Sequence, residues 1–395
     1  MMRGALVAVL ALWFGAGVAG GGEPAVSRCG KGWLDRRGGY PVLHLRGTPF
    51  EMGVQHGTLL RKECRSLLGH LAKKDREGPA VDLPGRRLTP RDALGIIATL
   101  QRPHIPPRFL EEMRGLAEAL DVPVTEVIAA NLIPELFHCS GFALLPPVTA
   151  DRTVLHGRVL DYGIDLRLQE HAVLVVARPD GRHSFANVTY AGFIGSVTGM
   201  NERRISIGEM GGGGFGWFLG TPMSFLVRRV LEEAGSLDEA IALFRESRRT
   251  CEYFYVIADG NTGDAVGLEA GARRFGVVRP GEAEARLDTP VPHTVLLSAG
   301  SRYRELARRA DRVVSGARTF TIRDAIRLMD APVAMRSNLH NVLMAPGLQK
   351  LWVANASAEG DAAWTQPYHA FDLAALLADG PPEGMPDRRP AGGSR

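Results

Sequence analysis

Residues 137–165 read FHCSGFALLPPVTADRTVLHGRVLDYGID. Cys139 heads an alternating apolar stretch, a Pro-Pro and Thr-Ala-Asp turn follows, and a second alternating run ends in Arg158-Val-Leu-Asp161. Two short β-rich runs separated by turn residues predict a hairpin. Upstream of Cys139 the texture is helical, and downstream it is strand-rich. If the two strands pair, Arg158 and Asp161 both approach the start of the first strand. A guanidinium near a thiol favours the thiolate, which is the nucleophilic form. An aspartate orients a proton acceptor. His138 falls on the opposite strand face from Cys139, so spacing supplies no histidine base. A cut in the bond before Cys139 would supply one: the freed α-amine has a pKa near 8, suited to general-base work. The competing reading of Cys139 is a small buried apolar side chain.

Working upstream, GTPFEMGVQHGTLLRKECRSLLGHL opens a helix, with Thr48 as cap, Pro49 in the first turn and Glu51 completing a capping box. The helical period runs on to Leu71, and further helices are expected over 107–120 and 125–136. Residues 77–90 read as a loop, and 40–136 as mostly helical. Downstream, CSGFALL, TVLHGRVLDY, HAVLVVARPDGRHSFANVTYAG and SVTGMNERRISIGE are strands, with turns at Asp180-Gly181 and Asn201-Glu202. Helices are expected over 222–234 and 237–247, then strands in EYFYVIADGNTGDAVGLEA. Helices near 303–314 and 322–329 and a late hairpin from NLHNVLM follow. Strand runs alternating with helical runs and linked by hairpins predict an α+β fold, an antiparallel sheet core with helices outside.

The first residues, MMRGALVAVLALWFGAGVAGGGEPA, read as a secretory signal cut near Ala19. They are too short and glycine-rich for a membrane span, so the expected product is exported, periplasmic or extracellular. The expected divisions are a signal peptide over 1–19, a mostly helical pro-segment over 20–138, a catalytic domain over 139–379 and a disordered Pro/Gly/Arg tail over 380–395.

The chain has 395 residues, 45% hydrophobic and 23% charged, ordinary for a globular protein. Its net charge of +4 comes mainly from scattered arginines, with no basic helix interleaved with aromatics, so nucleic acid is not an indicated partner. Four cysteines in this length make no disulfide framework; Cys29 and Cys64 can pair by position, but spacing does not establish it. The histidines are dispersed and Cys-x-x-Cys is missing, so neither a metal nor another cofactor is indicated. Gly211, Gly213 and Gly216 match a dinucleotide fingerprint by count, but Trp217 and Phe218 follow where a helix should start, and the run reads as a loop near the cleft. The lack of Gly-x-Ser-x-Gly argues against a serine α/β-hydrolase. DGNTGD (259–264) reads as a hairpin turn, without the late glutamate of a calcium loop.

The segment 139–162 resembles the nucleophile region of the N-terminal-nucleophile (Ntn) hydrolases related to isopenicillin N acyltransferase and choloylglycine hydrolase. The Thr149–Asp151 turn and the Arg158-Val-Leu-Asp161 tetrad carry the likeness. GTPFEMGVQHG, TGMNERRISIGE, TPMSFLVRRVLEEAGSLDEAIALF and NLHNVLM…LWVANA…YHAFDL fit the acyltransferase branch in the same order, over roughly residues 40–375. The resemblance implies an αββα four-layer sandwich made as a precursor and self-cleaved between His138 and Cys139. It implies Cys139 as nucleophile through an acyl-thioester, Asp161 holding the α-amine, and Arg158 bracing the pocket. The pro-segment would stay associated with the catalytic part. The substrate would be a small acyl amide or acyl thioester, of bile-salt, acyl-homoserine-lactone or penicillin type, and the acyl group would pass to water or an amine. The asparagine that the family places for the oxyanion is not in its local match, PHTVLLSAG (292–300); Asn201 and Asn187 are the substitutes considered. That gap makes a catalytically inactive Ntn-fold binding protein the alternative reading.

Overall fold

In the computed structural model, the described residues are 26–77, 81–83, 86–88, 90–132, 138–212, 217–282 and 290–390. The leader-like stretch 1–19, Gly213 and Gly216 of the glycine run, the end (133–136) of the helix expected over 125–136 and the tail's last five residues lie outside them.

The N-terminal third runs β1 (Ser27–Cys29), β2 (Gly32–Arg37), β3 (Tyr40–Gly47), α1 (Pro49–Leu59), α2 (Arg61–Glu77), β4 (Val81–Leu83), β5 (Arg86–Leu88), α3 (Pro90–Gln101), α4 (Pro107–Leu120) and α5 (Val124–Asn131). The middle runs β6 (His138–Leu144), β7 (Leu155–Asp161), β8 (Ala172–Pro179), β9 (Phe185–Tyr190), β10 (Thr198–Asn201), β11 (Ile205–Gly211), α6 (Met223–Glu233) and α7 (Leu237–Glu246). The rest runs β12 (Tyr253–Asp259), β13 (Asp264–Ala270), β14 (Phe275–Val278), β15 (Thr294–Leu297), α8 (Gly300–Val314), α9 (Ile322–Arg327), β16 (Asn338–Ala345), β17 (Lys350–Asn355), β18 (His369–Asp372) and α10 (Leu373–Ala378).

Two sheets carry the fold. One has ten strands in the order β1-β2-β3-β8-β9-β10-β11-β12-β13-β14, and the other six in the order β15-β6-β7-β16-β17-β18. Within them the β3–β8 pair is parallel and the other pairs are antiparallel. The sheets meet face to face where β6 and β7 pack on β11 and β12. Helices α1, α6 and α7 lie on the outer side of the large sheet, and α8 and α9 on the outer side of the small one. The result is the four-layer αββα sandwich.

Alternation fixes which side chains enter the space between the sheets. In β6, Phe142 and Leu144 join the outer cluster with Tyr303 and Leu306 of α8, while Cys139 and Ala143 join the inner one. In β7, Val159 goes outward and Leu160 inward. Period two in both strands places Cys139 and Arg158 in the same interlayer space.

Several expectations are corrected. The segment read as mostly helical contributes strands β1–β3, and β3 runs parallel to β8 in the large sheet. Alternating YPVLHLRG has the strand pattern, with Val42, Leu43 and Leu45 buried from both faces. The helix expected to Leu71 is two helices that break at Leu60, whose ψ of 31° leaves the helical range. The expected loop over 77–90 contains the small β4–β5 hairpin, and α3 was not foreseen. The pairing left open for Cys29 and Cys64 is answered as well: all four cysteines are buried free thiols, so these two are not bridged. The described part of the tail, expected to be disordered, instead docks on β1. The Arg28 amide donates to the Pro386 carbonyl at 2.8 Å, and the Arg388 amide to the Arg28 carbonyl at 2.8 Å. β1 is an edge strand, and its unpaired groups accept this extra segment. Among the described residues, no helix is long and apolar enough to cross a membrane.

Candidate active site

The β6–β7 register sets Cys139 opposite Leu160, Gly141 opposite Arg158 and His138 opposite Asp161. The Arg158 guanidinium charge acts on the Cys139 thiol and favours its thiolate form. The guanidinium donates to the Val159 carbonyl and, at 3.3 Å, to Glu209 of β11. Arg158 and Glu209 are fully buried, so this is an interlayer ion pair that ties the two sheets together. Gly208 makes the approach possible: a Cβ there would lie 2.8 Å from Arg158 Cδ.

Burial pushes the Cys139 thiol up to about 12; Arg158 opposes the rise, while the Glu209 and Asp161 carboxylates add to it. In the uncut chain the thiol is therefore protonated at neutral pH, and attack requires a base to take its proton.

Asp161 lies three residues after Arg158 and turns the other way, as an odd spacing in a strand demands. Its Oδ1 accepts from the Met335 amide at 2.9 Å, and its Oδ2 lies 2.9 Å from Arg302 of α8. Burial raises its pKa; Arg302, the Met335 amide, Arg158 and an Asn338 hydrogen bond all pull it down. Arg302 also donates to the Ser140 hydroxyl, which meets the Ser298 hydroxyl at 2.6 Å. So Arg158 acts on the thiol, while Asp161 sits across from the residue before Cys139, beside the Cys139 backbone nitrogen's end of the strand.

The two oxyanion candidates are not brought to this cluster. Asn201 donates to the Leu231 and Ala234 carbonyls and accepts from the Ile205 amide, closing the β10–β11 turn against α6. Asn187 donates to the Gly195 carbonyl and accepts from Ser196. Both side chains are committed to shaping the backbone around them. The residues that sequence reasoning missed are Arg302 and Ser298. Ser298 follows β15, which pairs with β6, and Arg302 occupies the first turn of the helix after it. The family-like position PHTVLLSAG was legible, but not that its strand borders β6. The partnership of Glu209 with Arg158 was not foreseen either.

Beside Leu160, the cross-strand partner of Cys139, lies a cavity of about 30 Å³. Leu168, Tyr190, Phe193 and Val197 give it an apolar wall, with Asn131, Ser196 and Ser224 at its polar points.

The family model of acyl-coenzyme A:6-aminopenicillanic acid acyl-transferase matches residues 148–284, a span that contains Arg158, Asp161 and Glu209 and begins after Cys139. The chain resembles the cysteine Ntn hydrolases. A protein of Archaeoglobus fulgidus known only as uncharacterized is 29% identical over 310 residues, covering 69% of this chain and 51% of its own length. Protein dcd1A of Dictyostelium discoideum is 29% identical over 252 residues, 56% of each chain. Acid ceramidase of Rattus norvegicus is 27% identical over 188 residues, 40% of this chain and 46% of the ceramidase. The chain thus spans about half the length of the curated relatives it matches. Among solved structures, an N-acylethanolamine-hydrolyzing acid amidase ortholog of Caenorhabditis elegans aligns with a TM-score of 0.42 at 18% identity, over 53% of this chain and 94% of that one. A conjugated bile acid hydrolase variant from Clostridium perfringens aligns with a TM-score of 0.43 at 11% identity, over 60% and 93%.

Proposed function

We propose that this Ntn-hydrolase-like chain is an autoprocessing cysteine amidohydrolase or acyltransferase whose nucleophile is Cys139. The observation that carries this reading is the thiol of Cys139 at the head of an interlayer strand, with the Arg158 charge on the same side favouring its thiolate and Asp161 opposite the preceding residue.

Cleavage of the His138–Cys139 bond would leave an α-amine on the nucleophile's own residue. In its neutral form that amine takes the thiol proton as sulfur attacks an acyl carbonyl, and returns it to the leaving amine as the tetrahedral intermediate collapses. The thioester then passes its acyl group to water or to an acceptor amine. Asp161, held by Arg302 and the Met335 amide, would accept a hydrogen bond from that amine. Arg158, anchored by Glu209, offsets negative charge on sulfur. The Ser298 hydroxyl and the Arg302 guanidinium are polar donors beside the same strand.

The apolar wall beside Leu160 suits the apolar part of an acyl group, and at about 30 Å³ the cavity takes a longer one only if its wall moves. Because β3 and α1 are integral to the large sheet and its outer layer, the N-terminal fragment would stay bound after the cut. The leader-like residues 1–19 support export of the product; cell fractionation, with the leader deleted as control, tests it.

Purified protein, assayed on a panel of acyl amides, tests the reading. Turnover by wild type and its loss in Cys139→Ala, with the fold retained, are the expected results. A wild-type chain that binds acyl amides without turning them over would leave the binding-protein reading in its place.

A further inference from the structure

The loop between β9 and β10, residues 191–197, forms one wall of the cavity beside Leu160 through Phe193, Gly195, Ser196 and Val197. Side chains from the N-terminal segment hold its backbone at Gly192 and Ile194, while Arg228 on the Ile194 carbonyl, Asn187 on the Gly195 carbonyl and the Ser224 carbonyl on the Ser196 amide hold other parts of it. The Gly192 amide donates to His56 Nε2 of α1 at 2.9 Å. Asn131, at the end of α5, donates to the Gly192 carbonyl at 3.0 Å and accepts from the Ile194 amide at 2.8 Å. The Gly195 amide points to the same Asn131 oxygen at 3.5 Å. Gly192 itself sits at a φ of +88°, a backbone shape that glycine adopts without strain.

His56 and Asn131 are each 1% exposed. Burial, with the Arg228 charge nearby, holds the His56 pKa down at about 4, so its imidazole is neutral and Nε2 is free to accept. Buried backbone groups without partners are costly, so these side chains exclude loop positions that would leave the groups unpaired. The loop connects onward to the site. The Glu209 amide donates to the Val197 carbonyl at 3.0 Å, and Glu209 accepts from Arg158.

We propose that His56 and Asn131 are positioning residues that set the acyl preference of the pocket from the far side of the processing bond, by fixing the 191–197 wall. This rests on the functional reading above. It assigns the N-terminal fragment a lasting part in substrate selection, although that fragment supplies no group to the reaction itself. Asn131 also lines the cavity itself.

The test uses the processed protein with both fragments present. A series of fluorogenic acyl amides from acetyl to dodecanoyl is compared in wild type, Asn131→Ala, His56→Ala and His56→Gln, the last of which keeps an acceptor. The expected result for Asn131→Ala and His56→Ala is a change of about tenfold or more in the ratio of kcat/KM between short and long acyl groups. It should be carried by KM, with kcat on the best substrate changed by less than about threefold. Amide hydrogen exchange at Gly192 and Ile194 should quicken by about tenfold or more in those variants and less in His56→Gln. An equal fall across the whole series, or unchanged exchange at both amides, would overturn the proposal while leaving the nucleophile assignment standing. A wild type inactive on every member would instead overturn the functional reading, and this inference with it.

Discussion

Arg158 occupies the space between two sheets, and its charge is matched there by Glu209. Removing one member of a buried pair leaves the other charge without compensation, at a cost of about 3–5 kcal/mol. Arg158→Met should therefore lower stability by that order, and Arg158→Met combined with Glu209→Gln should recover much of it without restoring turnover. Urea unfolding of the single and double variants checks this; equal stability in Arg158→Met and wild type would show that the pair does not hold the sheets. The Cys139–Arg158 meeting was legible in the sequence, because a hairpin with alternating faces returns Arg158 to the thiol's side. The placement of Asp161 was half legible. Its spacing from Arg158 sends it to the opposite face, where Arg302 meets it, and Arg302 belongs to a helix after β15 that no local pattern links to β6. Asn201 and Asn187 were attractive as amide donors, yet polar side chains in buried turns are consumed by nearby backbone groups.

At the level of elements, the motif GTPFEMGVQHG is a set of attachments. Thr48 and Glu51 form the expected capping box of α1. Gln55 accepts from the Arg46 amide at 2.9 Å and donates to the Arg46 carbonyl at 2.8 Å, fixing α1 to β3. His56 reaches the 191–197 loop. The sequence showed where the helix starts; it did not show that its inner face is polar because backbone from other elements ends there. A second attachment joins α4 to α6. Arg228 donates to Glu112 at 2.9 Å and to Glu232 at 2.8 Å, and Arg108 donates to Glu232 at 2.7 Å. Arg228→Met should destabilise the protein by about 3–5 kcal/mol, since Glu112 and Glu232 stay buried. In processed protein it should also loosen the two fragments, read as partial loss of the N-terminal fragment on gel filtration in mild urea. Fragments as firmly joined as in wild type would argue that the sheet pairing alone suffices.

For the whole molecule, an antiparallel sheet core with helices outside was legible from the change of texture at Cys139 and the hairpins after it, and its αββα layering from the family resemblance. The strands before α1 were not, because β3 finds its partner β8 more than a hundred residues away and the helical signals around it dominate. The packed interior also sets the response to acid. Burial depresses His56 to about 4 and both His44 and His156 to about 3, from an ordinary value of 6.5. The unfolded chain takes up these protons first, so their contribution is full above pH 6.5 and is lost as pH falls toward those values. Asp161 and Glu112, raised by burial, work in the opposite direction. His56→Gln isolates one member: between pH 7 and pH 5 it should lose about 2 kcal/mol less unfolding free energy than wild type does. Parallel pH profiles would contradict a buried neutral His56.

The central claim is that one residue supplies both the sulfur and, once the chain is cut, the base. Intact-mass analysis with N-terminal sequencing of catalytically active protein tests it most directly. The account predicts a fragment of about 28 kDa that begins at Cys139 and is missing from Cys139→Ala. Turnover by a chain still continuous through His138–Cys139 would contradict it.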